Sequence, residues 1–152
     1  MAIQLKIITP ERVVLEEKVD SVTIPTTLGE ITVLPNHIPL VAILATGVMT
    51  LRSGGAETHL AASGGFAEVL PESRVNILAD SAERAEELSW EKVEEAKEAA
   101  QKILKEKRHL DESGQAAALG ALEREIARLK AIRRRGAHGR PHAPHVGGIE
   151  GE

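Results

Sequence analysis

Gly29-Glu30-Ile31-Thr32-Val33-Leu34-Pro35-Asn36-His37-Ile38-Pro39-Leu40 reads as a turn, a short strand and a second, proline-framed turn, with no spare residue between them. Glycine opens the segment where a positive φ is easiest, and two prolines then fix the backbone on either side of Asn36-His37. A stretch punctuated in this way builds a rigid, shaped loop. It predicts a strand-rich surroundings, and the residues on both sides agree.

Upstream, Ile3, Leu5 and Ile7 alternate with Gln4, Lys6 and Ile8, and Arg12 to Leu15 and Val19 to Ile24 follow as further short runs. Downstream come Gly47 to Arg52, Thr58 to Ala62, Phe66 to Leu70 and Arg74 to Leu78. All are rich in β-branched residues. Thr9-Pro10, Pro25, Gly29, Ser53-Gly54-Gly55, Gly64-Gly65 and Pro71-Glu72-Ser73 fall between runs at the spacing of a sandwich or barrel. Gly54-Gly55 and Gly64-Gly65 lack the Gly-Lys-Ser/Thr continuation of a phosphate loop, so they read as hairpin turns.

At Asp80 the pattern changes. Ser89 stands where a helix would be capped, and Val93, Ala96, Ala100, Ile103 and Leu110 recur at helical spacing up to a break at Asp111-Glu112-Ser113-Gly114. Leu119, Leu122, Ile126 and Leu129 mark a second helix that Gly136 and Pro141 end. The fold class is therefore a β + α two-domain chain: an N-terminal antiparallel β-sandwich or barrel (1–87), a C-terminal α-helical antiparallel hairpin (88–135), and a flexible tail (136–152) rich in glycine, proline and histidine. The hairpin's seam is mostly alanine, which buries little area, so it is suited to two arrangements, folded on its own sandwich or extended along a partner. Trp90, in the first turn, is read as a packing staple between domains rather than a base-stacking ring.

Charge divides the chain in the same place. Up to Glu87, 6 Lys+Arg stand against 12 Asp+Glu; from Leu88 on, 13 stand against 11. Between Gln115 and Arg140 there are 7 basic and 2 acidic residues, and at 100° per residue Arg124, Arg128 and Arg135 share one face, opposite the leucine stripe. Arginine favours carboxylate recognition, although a charged helix face is often only solvated. A nucleic-acid partner is disfavoured, since Phe66 and Trp90 are the aromatic residues available and the sandwich is acidic. A generic adaptor fits the periodicity alone.

With no cysteine there is neither a disulfide framework nor a thiolate nucleophile. Ser63, Asp20, Asp80, His37 and His59 form no triad or carboxylate pair, and the tail histidines lack backing ligands, so no catalytic, metal or cofactor site is expected. The N-terminus lacks the basic start and apolar run of a secretory signal, and no segment reaches the roughly 18 apolar residues that cross a bilayer.

The Gly29 to Leu40 segment, followed in order by Ala45-Thr46-Gly47, Ser63-Gly64-Gly65-Phe66-Ala67-Glu68-Val69 and Val75-Asn76-Ile77-Leu78-Ala79-Asp80, resembles the epsilon subunit of bacterial and chloroplast F-type ATP synthases, over about residues 2 to 135. Within the loop, Asn36 stands where that family usually has glycine, Thr32 where glycine is common and Ile38 where alanine is common. Asparagine tolerates the left-handed backbone best after glycine, so the turn is expected to survive.

The resemblance implies a non-catalytic rotor subunit, held peripherally at the cytoplasmic face of the cell inner (plasma) membrane, or at the stromal face of the thylakoid. The sandwich would pack on the gamma subunit and on the polar loops of the membrane c-ring, with Glu30 as the leading contact; His37 is either a second contact or a loop residue satisfied by backbone. The hairpin would extend into the alpha/beta catalytic head and oppose hydrolysis, Arg124, Arg128 and Arg135 meeting an acidic loop of the beta subunits. Some members bind ATP through Ile/Leu-Asp-x-x-Arg-Ala at the start of the first helix. Here Leu88, Ser89, Lys92 and Val93 stand at the specified positions, so the carboxylate and guanidinium are replaced and weak or absent ATP binding is expected.

Overall fold

A computed structural model describes residues 1–106 and 111–138. Eight strands come first: β1 (Ile3–Ile8), β2 (Val13–Val19), β3 (Ser21–Thr26), β4 (Gly29–Val33), β5 (Leu40–Ile43), β6 (Gly47–Ser53), β7 (Ala56–Leu70) and β8 (Arg74–Arg84). A 3-10 turn (Ala85–Glu87) leads into α1 (Trp90–Lys105), and α2 (Glu112–His138) follows. Leu110, the last position of the first helix pattern, and residues 139–152, with His142 and His145 of the tail, lie outside the described residues.

The strands form one hydrogen-bonded path, β2-β1-β8-β7-β6-β3-β4, with β5 added on β7. β7 and β8 are long enough to serve two layers. Their near-turn halves (Phe66 to Leu70, Arg74 to Leu78) join β5, β1 and β2, while β7 from Ala56 to Ala62 joins β6, β3 and β4. Alternate residues of both layers turn inward, and Ile3, Leu5, Ile7, Ile24, Met49, Leu60 and Ile77 are fully buried between them. One pair departs from the antiparallel expectation: β1 runs parallel to β8.

Two runs expected as separate strands on either side of Gly64-Gly65 are one strand, β7. The glycines are a bend, not a hairpin turn. Their φ values are 66° and 95°. A Cβ on Gly65 would press into the Leu78 carbonyl, and one on Gly64 into the Asp80 carboxylate. β7 can therefore change layers only where two consecutive residues carry no side chain. For the same reason β8 runs on to Arg84 rather than ending near Asp80. Gly54-Gly55 does form the β6–β7 turn, and Asn36 takes the left-handed φ of 64°.

The helices need two corrections. Ser89 occupies the N-cap position, but its hydroxyl donates to Glu91 Oε2 at 3.0 Å and makes no side-chain cap. The stretch expected as a break is the first turn of α2, where Asp111 Oδ1 accepts the Gly114 amide at 2.8 Å. α2 then continues through Gly136 to His138, because a glycine in a helix costs only about 1 kcal/mol relative to alanine. The two helices are antiparallel: the Arg133 guanidinium stands 5.9 Å from the centroid of the Trp90 ring, joining the start of α1 to the end of α2.

α2 lies on the sandwich. Ala127 and Ala131 pack against Val48, Ala61 and Ala85, with Leu88 at the rim. Small residues on both sides let the helix come close, but they bury little area.

Candidate functional site

The register of the β5-β7-β8-β1-β2 layer produces a feature that no single strand reveals. Ile43 pairs with Phe66, Phe66 with Leu78, Leu78 with Ile8, and Ile8 with Val13. Their strand neighbours Ile7, Ala67 and Ile77 are buried, so strand alternation turns these five outward as one apolar row across five strands. Val13, Ile43 and Phe66 are exposed, while Leu78 and Ile8 are half-buried. The neighbouring row is polar on four strands, where Glu68, Asn76, Lys6 and Glu16 stand side by side, and ends on β5 at the exposed Val41. A continuous apolar row with a polar margin is the composition of a protein-binding surface. Ile8 was its one local signal, an apolar residue at an outward position of an otherwise alternating strand.

Glu30, within the start of β4, and His37, beyond its end, do not converge. Glu30 is exposed on the edge strand, opposite Pro25 and one residue beyond the Thr26–Gly29 turn. In that turn Thr27 donates its amide to the Ile43 carbonyl at 3.1 Å, which sets Glu30 near the end of the apolar row. His37 lies past the other end of the strand, half-buried, with Nδ1 donating to the Ile38 carbonyl at 2.7 Å. The Asn36 amide donates to Ser73 Oγ at 2.8 Å, so this loop is tied to the β7–β8 turn.

On α2, the arginine face is turned inward. At 100° per residue Ala131 and Ala127 sit about 20° and 60° to one side of Arg124, beside the arginine arc, so the sandwich meets a face that borders the arginines rather than the leucine stripe. Arg124 and Arg128 line a narrow gap with Ser63, Ser81 and Glu83. Arg128 Nε and Nη2 both donate to Glu83 Oε1, at 2.9 and 2.5 Å, and Nη1 donates to Glu125. Arg135 is exposed. Of the leucine stripe, Leu129 is buried, but Leu119 and Ile126 are about half exposed, at 50% and 46%.

Leu88, Ser89, Lys92 and Val93 line one cleft with Glu83, Glu87, Ala96, Glu125 and Arg128. Three carboxylates face two cations there, and Arg128 is already held by two of the three. Glu83 and Glu125 hold Arg128, and Glu87 is paired with Arg12 at 3.1 Å, so within this lining a polyphosphate would meet Lys92 as the one cation outside those ion pairs. Among the described residues no cluster of three metal-ligating side chains occurs, and no helix is long and apolar enough to cross a membrane.

Residues 2–85 match the family described as ATP synthase, Delta/Epsilon chain, beta-sandwich domain. The ATP synthase epsilon chain of Herpetosiphon aurantiacus is 41% identical over 135 residues, covering 89% of this chain and 97% of that one. That of Moorella thermoacetica is 46% identical over 131 residues, covering 86% and 96%. Among solved structures, a chain of the Euglena gracilis mitochondrial ATP synthase OSCP/F1/c-ring assembly superposes with a TM-score of 0.72 at 29% identity, covering 90% of this chain and 82% of that chain. A chain of the Tetrahymena thermophila mitochondrial ATP synthase central stalk/c-ring shares the fold, with a TM-score of 0.61 at 16% identity and coverage of 87% and 97%.

Proposed function

The chain belongs to the family of ATP synthase epsilon chains, and from that membership we propose that it is a non-catalytic central-stalk subunit that joins the gamma shaft to the c-ring and restrains ATP hydrolysis through its helices. The observation that carries this reading is the apolar row Val13, Ile8, Leu78, Phe66 and Ile43. It is an exposed sheet face, fitted to a protein partner that stays bound through a rotary cycle. Gamma is its proposed occupant. Glu30, at the edge strand beside that row, meets a polar or basic loop of the c-ring, and His37 provides a second contact on the far side of β4. The subunit rests at the membrane through these partners, on the cytoplasmic side of a cell inner membrane or the stromal side of a thylakoid.

Restraint of hydrolysis falls to α2. When the hairpin extends into the alpha/beta head, Arg124, Arg128 and Arg135 present one guanidinium face to carboxylates of the beta subunits. The test is hydrolysis by the reconstituted complex carrying Arg124→Ala, Arg128→Ala and Arg135→Ala together. The expected outcome is faster hydrolysis with unchanged incorporation of the subunit. Unchanged hydrolysis sinks the assignment.

A further inference from the structure

We propose that Glu83 is an internal stand-in for the acidic partner of Arg128, so that this one strand carboxylate sets how readily the hairpin leaves the sandwich. The inference rests on the reading of α2 given above and adds its point of control.

The argument starts from what differs between the docked and the released helix. Arg128 is held by two carboxylates, but Glu125 lies three residues away on α2 and travels with the arginine. Glu83 belongs to β8 and stays behind. Only the Glu83 contact is lost on release, and only an interaction that differs between two states can bias them. It also has the geometry to matter. Side-chain exposure is 24% for Arg128 and 31% for Glu83, so the pair is partly desolvated, and two guanidinium nitrogens converge on one oxygen.

The surroundings give this pair unusual weight. Around it the helix meets the sheet through methyl groups, Ala127 and Ala131 on Val48, Ala61 and Ala85. Glu83 pairs with Ala61 in the β7–β8 register, which sets the carboxylate at the margin of that contact. It also precedes the 3-10 turn that opens the connection to α1 by two residues. A partner carboxylate that takes Arg128 therefore removes the charged clamp from a weak apolar contact, and capture and release become one competition.

The test uses the full chain. Hydrogen exchange of α2 amides is followed in the wild type, Glu83→Gln, Arg128→Gln and the double variant, with β1 and β8 amides reporting that the sandwich is intact. Each single change should speed α2 exchange about tenfold, about 1.4 kcal/mol. The double should be no faster than the faster single, because both changes remove the same interaction. Exchange within twofold of wild type in Glu83→Gln, or effects that multiply in the double, overturns the proposal.

A second arm reads regulation. In the reconstituted complex Glu83→Gln should inhibit hydrolysis more strongly than wild type at equal subunit concentration. If the triple arginine variant relieves inhibition but Glu83→Gln leaves it unchanged, the gate is wrong. If exchange responds while neither variant alters hydrolysis, the gate stands and the inhibitory reading fails.

Discussion

Replacing Phe66 with alanine tests the apolar row at its centre. In the free chain 39% of this residue is exposed. An aromatic side chain presents roughly 200 Å², so about 80 Å² remains for a partner to cover. At about 25 cal/mol per Å² the truncation forfeits about 2 kcal/mol of binding, or about 30-fold in Kd. The assay is calorimetric titration of the variant into the alpha/beta/gamma complex lacking its own epsilon subunit. Because the rest of Phe66 packs against the layer, a thermal melt must show that the variant is folded at the assay temperature, and Phe66→Leu serves as a milder companion expected to lose less. A folded Phe66→Ala variant whose Kd moves by less than threefold refutes the assignment of this face to gamma.

Three further outcomes follow from the same structure. Gly65→Ala should destabilise the sandwich by about 3 kcal/mol or more in a urea titration, since its φ of 95° is strained for any Cβ and the Leu78 carbonyl occupies the space; a loss under about 1 kcal/mol would show that β7 does not need this bend. ATP titrated into the full chain should give no heat at micromolar concentrations, because Arg128 is already claimed by Glu83 and Glu125; micromolar affinity would reverse that expectation. Glu30→Lys should weaken attachment to the isolated c-ring about tenfold at low salt and less at high salt, as a rim charge does; retention equal to wild type at both ionic strengths would remove Glu30 from the contact.

Local pattern revealed most of the strands and both helices, because alternation and helical spacing are written in neighbouring residues. What escaped it was decided by residues distant in the chain. Gly64-Gly65 looks the same locally in a turn or in a bent strand, and the choice is made by Leu78 and Asp80. β5 is four residues long between Pro39 and Ala45-Thr46-Gly47, too short for a period to emerge. Asp111 and Gly114 resemble a helix break until the aspartate is seen to accept the glycine amide. The wheel separated arginines from leucines correctly, but which face docks depended on finding Val48, Ala61 and Ala85 small enough to receive Ala127 and Ala131. The apolar row required the register of five strands at once. The placement of Glu30 at the start of β4 and of His37 beyond its end follows from the fold, not from the segment's own residues.

The continuity of β7 through its glycine bend has a consequence for how this protein can vary. One strand carries Ala61, which receives α2, and five residues later Phe66, which stands in the apolar row. Side chains alternate faces along a strand, so adding or deleting one residue between them would turn one of the two surfaces inside out. The apolar row and the face toward the helix are thus locked in phase. Length can change at the Gly54-Gly55 turn or at Pro71-Glu72-Ser73, but the span from Ala61 to Phe66 is a fixed ruler.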